Sequence, residues 1–223
     1  MEARLKESYP NAELFVTPDY WDDACKQLSK RDAVLKRLIK QHGTARLKSR
    51  GDAFSTLARS IIGQQISVKA ADSVWAKFEN TVGKVKPANV LKHDVAALRA
   101  AGLSLRKADY IRDLSERFAS GALRHAQWSD MPDDAVIAEL IEVRGIGRWT
   151  AEMYLMFFLL RPNVFPLDDL GLLKGLSLNY GGGEPMSRSQ ARDVGELWAP
   201  WATVGTWYIW RSLENTTVES KPQ

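Results

Sequence analysis

Leu140-Ile141-Glu142-Val143-Arg144-Gly145-Ile146-Gly147-Arg148-Trp149-Thr150-Ala151 joins two helical patterns through a turn with two glycines. A helical stripe of Ile137, Leu140 and Ile141 runs into it, and a segment over 148–160, apolar nearly all round, runs out of it. Pro132-Asp133-Asp134 opens the first of these helices, with proline in an early turn and acids near the positive end of the dipole. Between the helices, Gly145 and Gly147 bracket a turn where glycine permits positive φ or a close backbone approach. Successive amides in such a turn, at the head of a helix, form an anion site into which a nucleic-acid phosphate fits. The same residues also suit a plain corner closed by a C-cap glycine. Gly-x-Gly alone does not separate the two readings.

Outward from this hairpin the periodicity stays helical. Ala24, Leu28, Leu35 and Leu38 mark a helix over roughly 20–41. Phe54, Leu57, Ala58, Ile61 and Ile62 form a second stripe; Val68, Ala71, Trp75 and Phe78 form a third. Leu91, Val95 and Leu98 predict a fourth helix, and Leu105, Ala108, Ile111, Leu114 and Phe118 a fifth. Two more are expected over 187–199 and 201–214. No stretch shows strand alternation closed by a hairpin turn, so the class is all-α. Gly181-Gly182-Gly183 lacks the Lys-Ser/Thr of a phosphate-binding loop and reads as a surface loop.

The whole chain of 223 residues narrows the function classes. It is 45% hydrophobic and 26% charged, as ordinary folded domains are. The longest apolar run, Met153 to Leu160, falls far short of the roughly 20 residues of a membrane helix, so no membrane partner is expected. The start, MEARLKESYPNAELF, shows no apolar h-region, which predicts an intracellular protein. Cys25 is the only cysteine, which excludes an internal disulfide, a Cys-rich zinc site and a four-cysteine iron–sulfur cluster. His42, His93 and His125 have no metal-ligand spacing. The net charge of +4 permits a polyanionic partner without requiring one. Five of the eight tryptophans, Trp149, Trp198, Trp201, Trp207 and Trp210, fall late in the chain, as core filler or around a ligand pocket.

Downstream of the hairpin stands Val164-Phe165-Pro166-Leu167-Asp168-Asp169-Leu170-Gly171-Leu172. Leu-x-x-x-x-Gly-Ile-Gly-x-Trp-Thr-Ala followed by Phe-Pro-x-x-Asp-Leu-Gly resembles the helix–hairpin–helix, Gly/Pro…Asp superfamily of DNA glycosylases. Within it, the pattern looks like the 3-methyladenine DNA glycosylase II (AlkA-type) branch. The resemblance takes in Ile61-Ile62-Gly63-Gln64-Gln65-Ile66-Ser67, Gly102-Leu103-Ser104 with Lys107, Tyr110 and Ile111, and Pro200-Trp201 with Trp210, and covers roughly 50–213. It implies two helical lobes with an active-site cleft between them. One lobe is expected from 1–51 with 162–223, the other from 52–161, with the hairpin at about 134–160. The AlkA type carries an extra N-terminal β-rich lobe, whereas the 50 or so residues that precede the shared region here read as helical.

The resemblance implies a role for each of several residues. Asp169 takes the catalytic position, and Asp168 is its neighbour. Trp149 and Trp210 line the base pocket, with Met153 and Leu170 where the AlkA type has aromatic residues. Gln65 stands where the family inserts a side chain into the gap left by an extruded nucleotide, polar here where that type is apolar. Gly145, Gly147, Arg148 and Thr150 face DNA. The carbonyls of Ile141, Val143 and Ile146 fall where the hairpin holds a Na+ or K+; no other cofactor is expected. The partner implied is double-stranded DNA containing damaged bases, bound by a monomer.

The residue types fit the chemistry. A base inside a duplex is out of reach, so it must be flipped out, at a cost of a few kcal/mol. Alkylation at purine N3 or N7 makes the base cationic, and a tryptophan face attracts a cation by about 0.5–2 kcal/mol. That cation is a good leaving group. The sugar then gains oxocarbenium character, which one carboxylate stabilises while it orients or deprotonates water. Asp169 also reads as a helix N-cap, and the two roles are compatible. The strand-nicking branch of the superfamily has a lysine where Trp149 stands, so hydrolysis by water is expected here. Lys107, Arg106 and Arg148 read as solvated charges or phosphate contacts. Two other readings remain: a glycosylase for oxidised or deaminated bases, and a non-catalytic DNA-binding module.

Overall fold

A computed structural model describes residues 16–49 and 51–214. The start, MEARLKESYPNAELF, and its expectation fall outside the described residues. Among those residues the regular structure is twelve α-helices and a 3-10 turn, with no strand. In chain order these are α1 (Trp21–Arg31), α2 (Ala33–His42), α3 (Ala53–Gly63), α4 (Val68–Val82), α5 (Pro87–Val90) and α6 (Val95–Ala100). There follow α7 (Leu105–Ser120), α8 (Asp133–Ile141), α9 (Arg148–Phe157), α10 (Leu170–Tyr180), α11 (Arg188–Trp198) and α12 (Ala202–Glu214). None of these helices is long and apolar enough to cross a membrane.

Helix starts follow local capping chemistry. The side chains of Asp32, Asp52, Ser67, Asp94, Ser104, Asp169 and Ser187 each accept an amide of the first turn. Each such cap stabilises its helix by about 1 kcal/mol. Ser187 and Gln190 complete a capping box at α11.

The helix expected over 20–41 is two helices. Asp32 interrupts it with an extended backbone (φ −136°), its carboxylate accepting Leu35 N–H at 2.8 Å. That carboxylate also receives Tyr180 Oη–H at 2.7 Å and Trp198 Nε1–H at 3.1 Å, so the break is tied into the tertiary fold. The apolar stripe continues across it because Leu28, Leu35 and Leu38 all enter one core. The helix expected around Leu91–Leu98 is likewise split, since Asp94 caps α6 afresh. The segment expected to be buried all round, 148–160, is helical only to Phe157 and leaves Trp149 45% exposed.

The chain forms two compact units. Residues 51–154 form one, in which α7 packs on α3, α5 and α6. Its core includes Leu57, Ile61, Phe78, Ile111, Leu114 and Leu140, all fully buried. Phe118 meets Phe54 edge-on at 5.4 Å, and Trp128 meets Tyr154 at 5.4 Å. Residues 16–49 and 155–214 form the other, in which α12 packs on α1, α2, α10 and α11. Its core holds Trp21, Leu28, Leu35, Leu38, Trp198, Trp207 and Tyr208, with Trp21 edge-on to Trp207 at 5.2 Å. Trp198 and Trp207 are therefore core filler. Truncating Leu35 or Leu38 to alanine would cost about 2–5 kcal/mol.

Candidate functional site

In the unit containing residues 155–214, the Phe-Pro turn places the aspartate. Phe165 packs edge-on against the buried Trp198 at 5.7 Å, and Asp169 N–H donates to Pro166 O at 2.9 Å. Asp169 thereby becomes the N-cap of α10. Its Oδ1 accepts Leu172 N–H at 2.6 Å and Trp210 Nε1–H at 2.9 Å. The positive end of the α10 dipole favours a carboxylate there. Trp210 itself lies parallel to Phe157, with centroids 6.0 Å apart and planes at 12°. Gly171 gives this group room, since a Cβ there would sit 3.1 Å from Asp169 Oδ1 and 3.5 Å from the Trp210 ring. Leu170 is 79% exposed beside it. Asp168 points away into a surface ion pair with Arg188 at 3.0 Å, in which both side chains are mostly exposed. Such pairs contribute about 0–1 kcal/mol. The two adjacent aspartates are thus separated in role by what their oxygens touch.

In the unit containing residues 51–154, the hairpin is anchored by its apolar residues. Val143 N–H donates to Leu140 O and Ile146 N–H to Val143 O, at 3.1 and 3.0 Å, and both Val143 and Ile146 are buried. Gly145 has φ +85°, and a Cβ there would lie 2.2 Å from a Tyr110 ring carbon, so this position is glycine for internal reasons. Gly147 is the opposite case: its φ is not left-handed and a Cβ would meet nothing within 4 Å. The Gly145 carbonyl accepts Gln64 Nε2–H at 2.8 Å, and Arg144 N–H donates to Asp113 Oδ2 at 2.9 Å. Gly147, Arg148 and Trp149 are exposed at the head of α9, whereas Thr150 is buried and Met153 partly so. Arg148 pairs with Glu152 at 3.0 Å and Asp134 at 3.5 Å. Ile141 is 48% exposed. Among the described residues, no group of three or more His, Cys, Asp or Glu side chains gathers as a metal site.

Four residues hold this hairpin and the turn after α3: Gln64, Lys107 and Tyr110, which the sequence resemblance includes without this role, and Asp113, which it does not include. Gln64 reads locally as a polar helix end. Lys107 is not a solvated charge, because its ammonium donates to Ile62 O at 2.7 Å and Gln64 O at 2.8 Å. Burial pulls its pKa below the ordinary lysine value.

A helical hairpin with a two-glycine turn, and an aspartate capping a helix after a Phe-Pro turn, define a helix–hairpin–helix protein of the Gly/Pro…Asp kind. Residues 58–200 match the HhH-GPD superfamily of base excision DNA repair proteins, and the chain belongs to that superfamily. It is similar to the DNA-3-methyladenine glycosidase of Bacillus halodurans (34% identity, 92% of this chain and 94% of that one, TM-score 0.82). It is also similar to the 3-methyladenine DNA glycosylase of Schizosaccharomyces pombe solved with abasic DNA (28%, 86% and 97%, TM-score 0.74). A DNA-3-methyladenine glycosylase of Bacillus subtilis is 28% identical over 84% of this chain, which spans 66% of that protein's length.

Proposed function

We propose that this chain is a monofunctional DNA glycosylase of base excision repair. It flips alkylated bases, 3-methyladenine and related methylated purines, out of duplex DNA and hydrolyses the N-glycosidic bond, leaving an abasic site. The observation that carries this reading is the Asp169 carboxylate, oriented by the Leu172 amide and the Trp210 indole at the head of α10. A fixed carboxylate stabilises a developing oxocarbenium without reorganising during the reaction. It also orients or deprotonates the attacking water.

The remaining roles follow from chemistry. In the unit of residues 155–214, Trp210 offers an aromatic face to a cationic base, with Leu170 as apolar contact; in the other unit, Trp149 and Met153 carry side chains of the same two kinds. Gln65 fills the gap left by the flipped nucleotide. The open space over Gly147 lets a phosphate approach the head of α9, where amides and dipole favour it, with Arg148 beside it. The Ile146 amide is turned inward onto Val143 and is not part of that cradle. Carbonyl oxygens such as those of Ile141, Val143 and Ile146 are hard donors of the kind a Na+ or K+ would take, and the Val143 carbonyl also accepts the Ile146 amide. Hydrolysis by water, without strand cleavage, rests on Trp149 at the hairpin position and on the Lys107 amine being held by two carbonyls. The direct test is incubation with methylated duplex DNA and identification of the released bases. Release of 3-methyladenine supports the reading; release of oxidised or deaminated bases instead, or of none, overturns it.

A further inference from the structure

Gln65 and Leu160 are the non-glycine residues with left-handed backbone among those described, Gln65 at φ +59°. Such a backbone is strained for a residue with a side chain and persists only where the surroundings fix it. The side chain that binds the peptide in front of it is that of Lys107. Its ammonium bridges Ile62 O, a carbonyl at the end of α3, and Gln64 O, in the peptide that leads into Gln65. Carbonyls at a helix end lack intrahelical partners, so a cation there both caps the helix and sets the next peptide plane. The Gln64 side chain reaches from the same turn to Gly145 O of the hairpin at 2.8 Å.

The hairpin is gripped from the same helix. Tyr110 of α7 occupies the space in front of Gly145, and Asp113 of α7 accepts the Arg144 amide. Lys107, Tyr110 and Asp113 follow at intervals of three, so one face of α7 carries all three contacts. The turn that presents Gln65 and the turn at Gly145 are therefore mounted on one rigid support and joined directly by Gln64.

We propose that Lys107 is a positioning residue for DNA engagement: it fixes the backbone that presents Gln65 and couples that turn to the phosphate-binding hairpin. The proposal rests on the reading of Gln65 as the inserted residue. Lys107 does not touch the damaged base. It lowers the ordering cost of insertion by holding the turn in its inserted geometry beforehand.

The test is a double-mutant cycle on Lys107→Met and Gln65→Ala, with Lys107→Arg as the conservative variant. One readout is the single-turnover excision rate on a duplex with one methylated purine. The other is the fluorescence of 2-aminopurine placed beside an abasic site, which reports unstacking and needs no excision. Lys107→Met is expected to lower both the rate and the fluorescence rise by about tenfold, with Lys107→Arg recovering most of each. In the Gln65→Ala background the same change should cost less than about twofold, because the two residues act as one. A loss that adds in full to that of Gln65→Ala overturns the proposal, as does a Lys107→Met enzyme within about twofold of wild type. If Gln65→Ala itself changes neither readout, the insertion reading fails and takes this proposal with it. An inactive wild type would sink the glycosylase reading alone, since the abasic-site fluorescence still reports on Lys107. Should Lys107→Met not fold, Lys107→Gln carries the same cycle.

Discussion

The indole N–H of Trp210 donates to Asp169 Oδ1 at 2.9 Å, on the same oxygen that accepts the Leu172 amide at 2.6 Å. One aromatic residue thus has two separable properties: a ring that stacks on Phe157, and a donor that aims the carboxylate.

Trp210→Phe keeps a ring and removes the donor. Single-turnover excision should fall by roughly tenfold, the worth of a hydrogen bond to a charged group. Affinity for an abasic-site duplex should stay within about twofold, because that duplex lacks the base. Trp210→Ala should lose more and also weaken substrate binding. A Trp210→Phe enzyme as fast as wild type would mean that the ring alone matters.

The two hairpin glycines should behave oppositely. Gly145→Ala drives a methyl into Tyr110 at a left-handed position, so thermal unfolding should show a loss of about 2 kcal/mol or more. Gly147→Ala meets nothing inside the protein, and its stability should stay within about 1 kcal/mol of wild type. Its DNA affinity should nevertheless fall under the proposed contact, in which the methyl would stand in the path of a phosphate. Unchanged affinity in Gly147→Ala would remove the hairpin from the DNA interface.

Borohydride should trap no covalent adduct between the protein and a lesion-bearing duplex, and the abasic strand should stay intact until alkali is added. Lys107 is engaged with two carbonyls, and Trp149 offers no amine. An adduct abolished by changing one lysine would establish a Schiff-base mechanism instead.

Glu139 provides a stability test away from the chemistry. Burial pushes its pKa up, but bonds from Trp128 Nε1 at 2.7 Å and from Arg124 outweigh this and hold it below the ordinary glutamate value. A depressed folded-state pKa means stability that is present above the ordinary glutamate range and lost as pH falls below it. Glu139→Gln should therefore destabilise by about 2 kcal/mol at neutral pH, with the gap closing on acidification. A gap that stays constant down to acid pH would show that the charge contributes nothing.

Local chemistry was legible in the sequence; tertiary chemistry was not. The hairpin, the start of α8 at Pro132-Asp133-Asp134 and the N-cap role of Asp169 follow from residues a few positions apart. The break at Asp32 was hidden because the apolar stripe keeps its period across it. Trp198 and Trp207 could not be told from Trp149 and Trp210 by composition, since packing alone buries the first pair and exposes Trp149. Lys107 stands within the family resemblance, but its role was not legible: a cation on a helix reads as solvated, and its acceptors lie 45 and 43 residues away along the chain.

In the proposed reaction the Asp169 carboxylate stabilises the oxocarbenium and orients or deprotonates the water. Asp169→Asn keeps the shape of the side chain and an oxygen able to cap α10, while removing the charge. The decisive measurement is its single-turnover excision of methylated purines beside its affinity for an abasic-site duplex. Excision should fall by about a hundredfold or more, with abasic-site affinity held or tightened. Excision within a few-fold of wild type in a folded Asp169→Asn enzyme would rule out a catalytic role for this carboxylate.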